Sequence, residues 1–309
     1  MINGLVTQYQ SGFYIVETPS GNFTCQLRGR LKKGPRQGDL VALGDQVLVT
    51  PLDKTTGMIE SVEPRTRLLS RLDPTPRGLY QQIIIANPDQ AVFVFACADP
   101  APHLGMLDRF LVICEKQGIP SLIVANKADL VTPEQAQALF GRYPAIGYPV
   151  IYSSARLGQG VEALREHLTG KLSVLAGPSG VGKSSLLNAI QPGLGLAVRE
   201  ISQVTSKGRH TTVVRQLFPL LAGGYVADTP GLKALALWDI EPEELDGYFP
   251  EISKRVADCQ FSDCSHVNEP GCAIKAAVSS GEIHYERYES YLRMRYGDVD
   301  DWINEINLT

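Results

Sequence analysis

Three successive patterns in this 309-residue chain predict a multidomain protein: a small N-terminal β-barrel, a central α/β domain and a C-terminal α-rich domain built on a Cys/His cluster. Up to residue 68, short apolar runs alternate with Gly, Pro and Asp turns. From residue 70 to 235, continuous apolar runs alternate with helix-like segments, and from 236 to 309 the apolar runs give way to polar helices and clustered cysteines. Hydrophobic and charged fractions of 44% and 20% are those of a soluble globular chain. No apolar run approaches the ~20 residues of a membrane span, and the N-terminus has no basic region leading into an apolar core, so a cytoplasmic protein without a membrane partner is expected. A net charge of −4 excludes a globally basic nucleic-acid binder but leaves room for a local basic patch.

In the first domain, residues 12–17 (GFYIVE), 22–27 (NFTCQL) and 45–50 (DQVLVT) read as strands. Several short strands in so few residues suggest a small barrel, with the oligonucleotide-binding (OB) type among the candidates. Arg28, Arg30, Lys32, Lys33 and Arg36 form a basic loop between two strands, and Arg65, Arg67, Arg71 and Arg77 follow near the domain exit. Phosphate contact with RNA is the functional reading of these residues; a solvated loop is the plain one.

In the second domain the apolar runs are 91–98, 121–125, 149–152, 172–176, 214–220 and 224–227, with a helix over 105–116. Continuous apolar strands between helices imply a parallel or mixed sheet buried on both faces, with ligand loops at the strands' carboxyl ends. The run 172–176 leads into GPSGVGKS at 177–184, and SLLNAI at 185–190 is helical in character. That is the strand, glycine loop and helix of a P-loop. Gly177, Gly180 and Gly182 let the backbone curl its N–H groups toward phosphate oxygens, and the helix N-terminus adds partial positive charge. Gly177, Pro178, Ser179, Gly180, Val181, Gly182, Lys183, Ser184 and Ser185 are thus the predicted phosphate cradle, with Lys183 reaching the β- and γ-phosphates and Ser184 offering its hydroxyl to Mg²⁺.

Four further segments fit this loop. DTPG (228–231) ends a strand, so Asp228 can hold Mg²⁺ through water and the Gly231 N–H can meet the γ-phosphate. NKAD (126–129) ends another. The Asp129 carboxylate can accept from the guanine ring N–H and exocyclic amine, a donor pair adenine lacks; Asn126 can bridge base and loop, and the Lys127 stem can lie over the ring. Ser153, Ser154 and Ala155 close a third strand, where the Ala155 N–H can meet the guanine carbonyl. GRHTT (208–212) offers Thr212 to Mg²⁺, with Thr211 the other candidate. Each tetrapeptide alone is weak; together they predict a guanine-nucleotide site. Ordinary GTPases run P-loop, switch Thr, DxxG, NKxD, SA. Here NKAD and SSA precede the P-loop, and Thr212 and DTPG follow it, which is a circular permutation. The segment after Gly231, whose conformation answers to the γ-phosphate, then leads straight into the C-terminal domain, so nucleotide state is expected to move that domain.

Cys259, Cys264, His266 and Cys272 supply three thiolates and an imidazole, a closed set suited to one structural tetrahedral Zn²⁺. The ion would staple a domain with few core residues, contributing ~10–16 kcal/mol of apparent binding energy. Cys25, Cys97 and Cys114 lie in apolar stretches and read as inert core residues; His103, His167 and His284 receive no role.

The chain resembles the small-ribosomal-subunit-dependent GTPase family (RsgA, also called YjeQ or YloQ). The resemblance spans essentially the whole chain: the barrel, the permuted order of NKAD, GPSGVGKS, GRHTT and DTPG, the Cys/His cluster, LDRFL at 107–111 and RYESYLRM at 287–294. It implies an OB barrel that contacts RNA, GTP hydrolysis stimulated by the small ribosomal subunit, and a role in late maturation of that subunit. The implied partners are that subunit with its rRNA, and GTP/GDP with Mg²⁺; a monomer is expected. Val213 departs from the family, whose members often carry a third Thr there.

Leu232 stands where many GTPases carry a water-orienting Gln. Slow intrinsic turnover follows, with His210 beside the switch threonines as the candidate water-positioning group, acting with Lys183 and Thr212. A group from the ribosome is the other option. The same Leu232 leaves open an RNA-binding scaffold that uses GTP as a conformational latch. A P-loop ATPase or kinase is disfavoured by NKAD, and a free-standing zinc adaptor by the nucleotide motifs.

Overall fold

The computed structural model describes residues 1–32, 38–75, 78–194, 215–228 and 240–297. Lys33, Arg36, Arg77, the 208–212 segment with His210, Thr211 and Thr212, and Val213, Gly231 and Leu232 lie outside the described residues, as do the side chains of Arg30, Lys32, Arg71 and Asp228.

Strands β1 (Ile2–Gln10), β2 (Phe13–Thr18), β3 (Gly21–Leu27), β4 (Gln46–Pro51) and β5 (Thr56–Val62) pair in the order β1-β2-β3-β5-β4, and β4 returns to β1 to close the barrel. Only β3 and β5 run parallel within it. Alternate residues point inward, so Tyr14 and Val16, Phe23 and Cys25, and Val47 and Val49 are buried, as period-two patterning demands. This closed five-stranded arrangement is the OB type.

A hairpin of β6 (Leu68–Thr75) and β7 (Gly78–Ala86) follows as its own two-stranded sheet. Prolines at 74 and 76 fall in and beside β6, where the sequence pattern gives no regular strand alternation.

The central sheet comprises β8 (Gln90–Ala96), β9 (Ser121–Asn126), β10 (Val150–Tyr152), β11 (Leu172–Ala176), β13 (Phe218–Pro219) and β14 (Tyr225–Asp228), ordered β10-β9-β8-β11-β14-β13. All pairs are parallel except β13 with β14. Every residue of β8 is buried, which is why the run is continuously apolar. On one face Phe93 and Phe95 share a core with helix α1 (Leu104–Lys116) and the barrel; on the other, Val92 and Val94 pack with Leu164 of α2 (Val161–Leu168) and Leu187 of α3 (Lys183–Ile190). The run 214–220 was expected as one strand of this sheet. Instead it divides: β12 (Arg215–Gln216) pairs antiparallel with β1 of the barrel, the Leu217 N–H donates to the Thr7 carbonyl at 2.8 Å, and only β13 joins the central sheet.

The C-terminal domain is helical: a 3₁₀ segment (Pro242–Tyr248), a short turn of helix (Pro250–Ser253), α4 (Ala273–Ser279) and α5 (Tyr285–Tyr296). Leu245, Phe249, Ile252, Ile274 and Tyr291 form its core and accept Val112 from α1. A buried ion cluster accompanies this junction. Arg287 donates from Nη1 to Asp108 Oδ1 at 2.7 Å and from Nε to Glu251 Oε1 at 2.6 Å, and Tyr143 Oη donates to the same Asp108 oxygen at 2.9 Å. Removing one partner from such a cluster costs ~3–5 kcal/mol, because it leaves a charge uncompensated. Among the described residues no helix is long and apolar enough to cross a membrane.

Candidate functional site

Parallel topology puts three strand ends on one edge of the central sheet: β9 stops at Asn126, β10 at Tyr152 before Ser153, and β11 at Ala176 before the glycine loop. β14 runs parallel beside β11 and stops at Asp228 on the same edge. Segments scattered over a hundred residues of sequence therefore meet at one place.

Asn126 is the joint among them. Its side chain is 1% exposed; Nδ2 donates to the Val181 carbonyl at 2.8 Å, and Oδ1 accepts from Ser153 Oγ at 3.2 Å and from the Ala155 N–H at 3.3 Å. One carboxamide thus ties NKAD, SSA and the P-loop. The bridge from Asn126 to the loop was legible in the motif. Its bond to the Ala155 N–H was not, because that donor was expected to face a ligand.

The loop is built around close approach. Gly177 has φ 147°, and a Cβ there would stand 2.0 Å from the Val94 carbonyl oxygen; Gly182 has φ 94°, and its Cβ would stand 2.4 Å from Asn126 Nδ2. Only glycine passes both constraints. Helix α3 starts at Lys183, so its free N–H groups face the loop. The Lys183 ammonium donates to the carbonyls of Gly177 at 2.7 Å and Pro178 at 2.9 Å, folded over the loop where a phosphate would offer stronger acceptors. Ser184 is half-buried in the first turn, and Ser185 is exposed.

On the base side, Lys127 takes the left-handed conformation (φ 58°) and its Nζ donates to the Asp99 carbonyl. Asp129 has a side chain only 8% exposed, with Arg156 Nε 3.3 Å from Oδ2. The Ser154 hydroxyl is the main influence holding this carboxyl below its ordinary range, with Arg156 and Lys127 adding to it. An ionised, hydrogen-bonded carboxylate there suits two neighbouring N–H donors.

Of the basic residues near the barrel exit, Arg65 is structural. It clamps buried Asp45 with Nε and Nη2, both at 2.7 Å, and reaches the carbonyls of Asp39 and Leu40 at 3.2 Å. Arg67 Nη1 lies 3.5 Å from the Pro88 carbonyl, and Arg28 pairs with Glu60 while remaining half-exposed. The basic-patch reading keeps Arg28 and loses Arg65.

The four metal-ligand candidates converge. The ligand atoms of Cys259, Cys264, His266 and Cys272 all lie within 4.8 Å of one another, and this set can hold a metal ion. His266 Nδ1 stands 3.6 Å from the sulfurs of both Cys259 and Cys272. Its Nε2 has no hydrogen bond within the protein and faces Asp246 Oδ2 at 3.5 Å. A carboxylate behind a ligating imidazole orients the ring. Burial holds His266 below its usual range, in the neutral form a metal requires. The knuckle is fixed by Glu269, which accepts from the N–H groups of Ser265, Val267 and Asn268, and by Tyr288, whose hydroxyl donates to the His266 carbonyl at 2.6 Å. Asp246, Glu269 and Tyr288 were not legible as parts of this site.

The other three cysteines and two of the histidines are structural. Cys25, Cys97 and Cys114 are buried, and burial raises their thiols to about 11, 11 and 12. His103 and His284 cap helices, each accepting a backbone N–H at Nδ1, from Met106 at 3.2 Å and Glu286 at 3.3 Å.

Comparison with known proteins agrees with this geometry. The RsgA GTPase family profile matches residues 62–238, and that of the RsgA N-terminal domain matches residues 3–59. The chain belongs to the RsgA GTPase family. Members of that family are GTP hydrolases. A protein of Gemmatimonas aurantiaca named small ribosomal subunit biogenesis GTPase RsgA is 46% identical over 296 residues, covering 94% of this chain and 96% of the relative. A Thermotoga petrophila protein of the same name is 42% identical over 298 residues, covering 95% of each. The crystal structure of YjeQ from Thermotoga maritima superposes with a TM-score of 0.78 at 39% identity, covering 96% of this chain and 97% of that one. YloQ, described as a circularly permuted GTPase, gives 0.72 at 32% identity, covering 96% and 94%. A circular permutation is thus also described for a structural neighbour of this chain.

Proposed function

We propose that this chain hydrolyses GTP while bound to the small ribosomal subunit during its late maturation, with turnover stimulated by the subunit and release governed by the nucleotide state. The observation that carries the nucleotide half is the Asn126 bridge, which joins NKAD, SSA and the P-loop at one place and so supports a single guanine site. The ribosomal half rests on the names of relatives at 42–46% identity.

In this reading Asn126, Lys127, Asp129, Ser154 and Ala155 receive the base. Residues 177–185 wrap the phosphates, with Lys183 leaving the loop carbonyls for the β- and γ-phosphate oxygens. Ser184, Thr212 and Asp228 hold Mg²⁺, which would neutralise charge on the transferring phosphoryl group. Gly231 meets the γ-phosphate, and His210 positions the attacking water that Leu232 cannot orient. Cys259, Cys264, His266 and Cys272 hold one structural Zn²⁺. Tetrahedral zinc with its usual bond lengths places sulfur and nitrogen about 3.6 Å apart; the two cysteine–histidine separations match that spacing. The division at 1–68, 70–235 and 236–309 gives the barrel the RNA contact, through Arg28, Arg30, Lys32, Lys33 and Arg36. The protein acts as a cytoplasmic monomer.

Leu232 supports a second reading, a scaffold in which GTP is a latch and hydrolysis incidental. Turnover of the wild type with and without small subunits separates the two, and replacing His210 with Ala tests that residue. A water-positioning role predicts a loss of roughly 10²-fold or more in subunit-stimulated turnover with GTP affinity kept. Unchanged stimulated turnover would remove His210 from the mechanism, and no stimulation of the wild type would favour the latch.

A further inference from the structure

The stretches 107–111 and 287–294 carry family resemblance but no assigned role, and the fold brings them together. Arg287 on α5 is 1% exposed and Asp108 on α1 is 2% exposed; they bond at 2.7 Å, while Glu251 and Tyr143 complete the cluster. Charges held in a dry interior at these distances move together, because no water replaces a lost partner.

Helix α1 starts at Leu104, directly after the loop of residues 97–103. That loop meets the candidate nucleotide site three times. The Cys97 N–H donates to the Asn126 carbonyl at 2.7 Å, the Asp99 carbonyl accepts from Lys127 Nζ, and Pro100 Cδ stands 3.7 Å from the position of a Cβ at Gly180. His103, the last residue of the loop, caps the helix. A displacement of α1 is therefore a displacement of the group that holds Lys127.

We propose that Arg287, in the metal-binding domain, is a positioning residue for the guanine site: it fixes Asp108, through it α1, and through α1 the loop that holds Lys127 over the base. The inference rests on the reading of Asn126 to Asp129 as the base-binding segment. Sequence order ties the C-terminal domain to the γ-phosphate side through the residues after Gly231; this contact ties it to the base side as well. By linkage, a bound guanine nucleotide tightens the docking of the C-terminal domain by the same factor that docking tightens the nucleotide.

The test uses the full-length, metal-loaded chain and GDP binding followed by fluorescence of a labelled GDP. The triple variant Asp108→Asn, Glu251→Met, Arg287→Met removes all three charges, keeps an acceptor for the Tyr143 hydroxyl and fills the space with apolar atoms. It is expected to bind GDP roughly 3- to 30-fold more weakly. In a Lys127→Ala background the same three substitutions are expected to cost less than in the wild type, because the contact through Lys127 is gone and only those at Asn126 and Gly180 remain. Arg287→Lys keeps the charge but loses the two-pronged geometry, and gives the same reading with a smaller loss if the triple variant fails to fold. Wild-type affinity in a cooperatively melting triple variant, or in Arg287→Lys should that be the variant that folds, would overturn the coupling. So would an effect fully additive with Lys127→Ala, which marks a merely structural role. A wild-type chain that does not prefer GDP to ADP overturns the site reading and the coupling with it; a wild-type preference with unaltered variants overturns the coupling alone.

Discussion

Replacing Gly182 by Ala tests whether the glycine loop and NKAD form one site. The new Cβ would stand 2.4 Å from Asn126 Nδ2, about 1 Å inside ordinary contact. The backbone there has φ 94°, a conformation that costs a non-glycine residue ~1–3 kcal/mol. Asn126 must then leave the Val181 carbonyl, now 2.8 Å away, and its bonds with Ser153 and Ala155 loosen with it. Each such bond is worth ~0.5–1.5 kcal/mol net, so losing two or three removes about 2–3 kcal/mol from the assembled site, or ~10²-fold in GDP affinity. Gly180→Ala is the control. Its φ is also positive at 81°, but the nearest atom to its Cβ is Pro100 Cδ at 3.7 Å, so backbone strain acts alone and the loss should stay within ~10-fold. Titration calorimetry with GDP, alongside thermal melting of both variants, reads the difference. Equal affinities for Gly182→Ala and wild type, or equal losses for the two alanines, would refute the reasoning that steric exclusion of Asn126 is what matters.

Further outcomes are expected elsewhere. Asp129→Asn exchanges one of two acceptors for a donor, so GDP binding should fall by about 10²-fold or more while xanthosine diphosphate gains; competition binding that leaves the preference for guanine intact removes Asp129 from the base site. Cys272→Ser should abolish the metal expected in elemental analysis of the wild type and open the region after residue 240 to proteolysis, because a metal held by this cluster would supply much of that domain's folding energy; a variant that keeps its metal contradicts the ligand assignment. In the barrel, the Thr56 hydroxyl and the N–H groups of Thr55 and Thr56 lower Asp53 to about 2 from an ordinary 3.8. The folded pKa is the lower one, so the stabilisation is complete above about 3.8 and is lost as pH falls toward about 2. Melting temperatures of Asp53→Asn and wild type should therefore differ at neutral pH and converge near pH 2; a difference constant across that range would show that the carboxylate charge plays no part.

What was legible in the sequence was what local spacing encodes. GPSGVGKS needs its glycines at fixed offsets because of contacts with Val94 and Asn126, so the motif survives as a string. The cysteine and histidine spacing likewise survives, since ligands must converge on a point. Less was legible wherever a partner lies far along the chain. Arg65 looked like a phosphate contact because nothing nearby in sequence announces Asp45 as its buried partner. The run 214–220 reads as one segment despite Arg215 and Gln216, and only its pairing with β1, with the bond from Leu217 to Thr7, reveals that half of it belongs to the barrel. Arg287 and Asp108 are 179 residues apart, and each sits in an ordinary helical pattern. Burial of a charged residue is a property of the assembled domains, not of the helix that carries it.

The most direct test of the account is GTP hydrolysis by the purified chain, alone and with small ribosomal subunits, with ATP and large subunits as controls. The account predicts slow turnover alone, strong stimulation by small subunits only, and no ATP hydrolysis. GTP binding without stimulation by small subunits would contradict it.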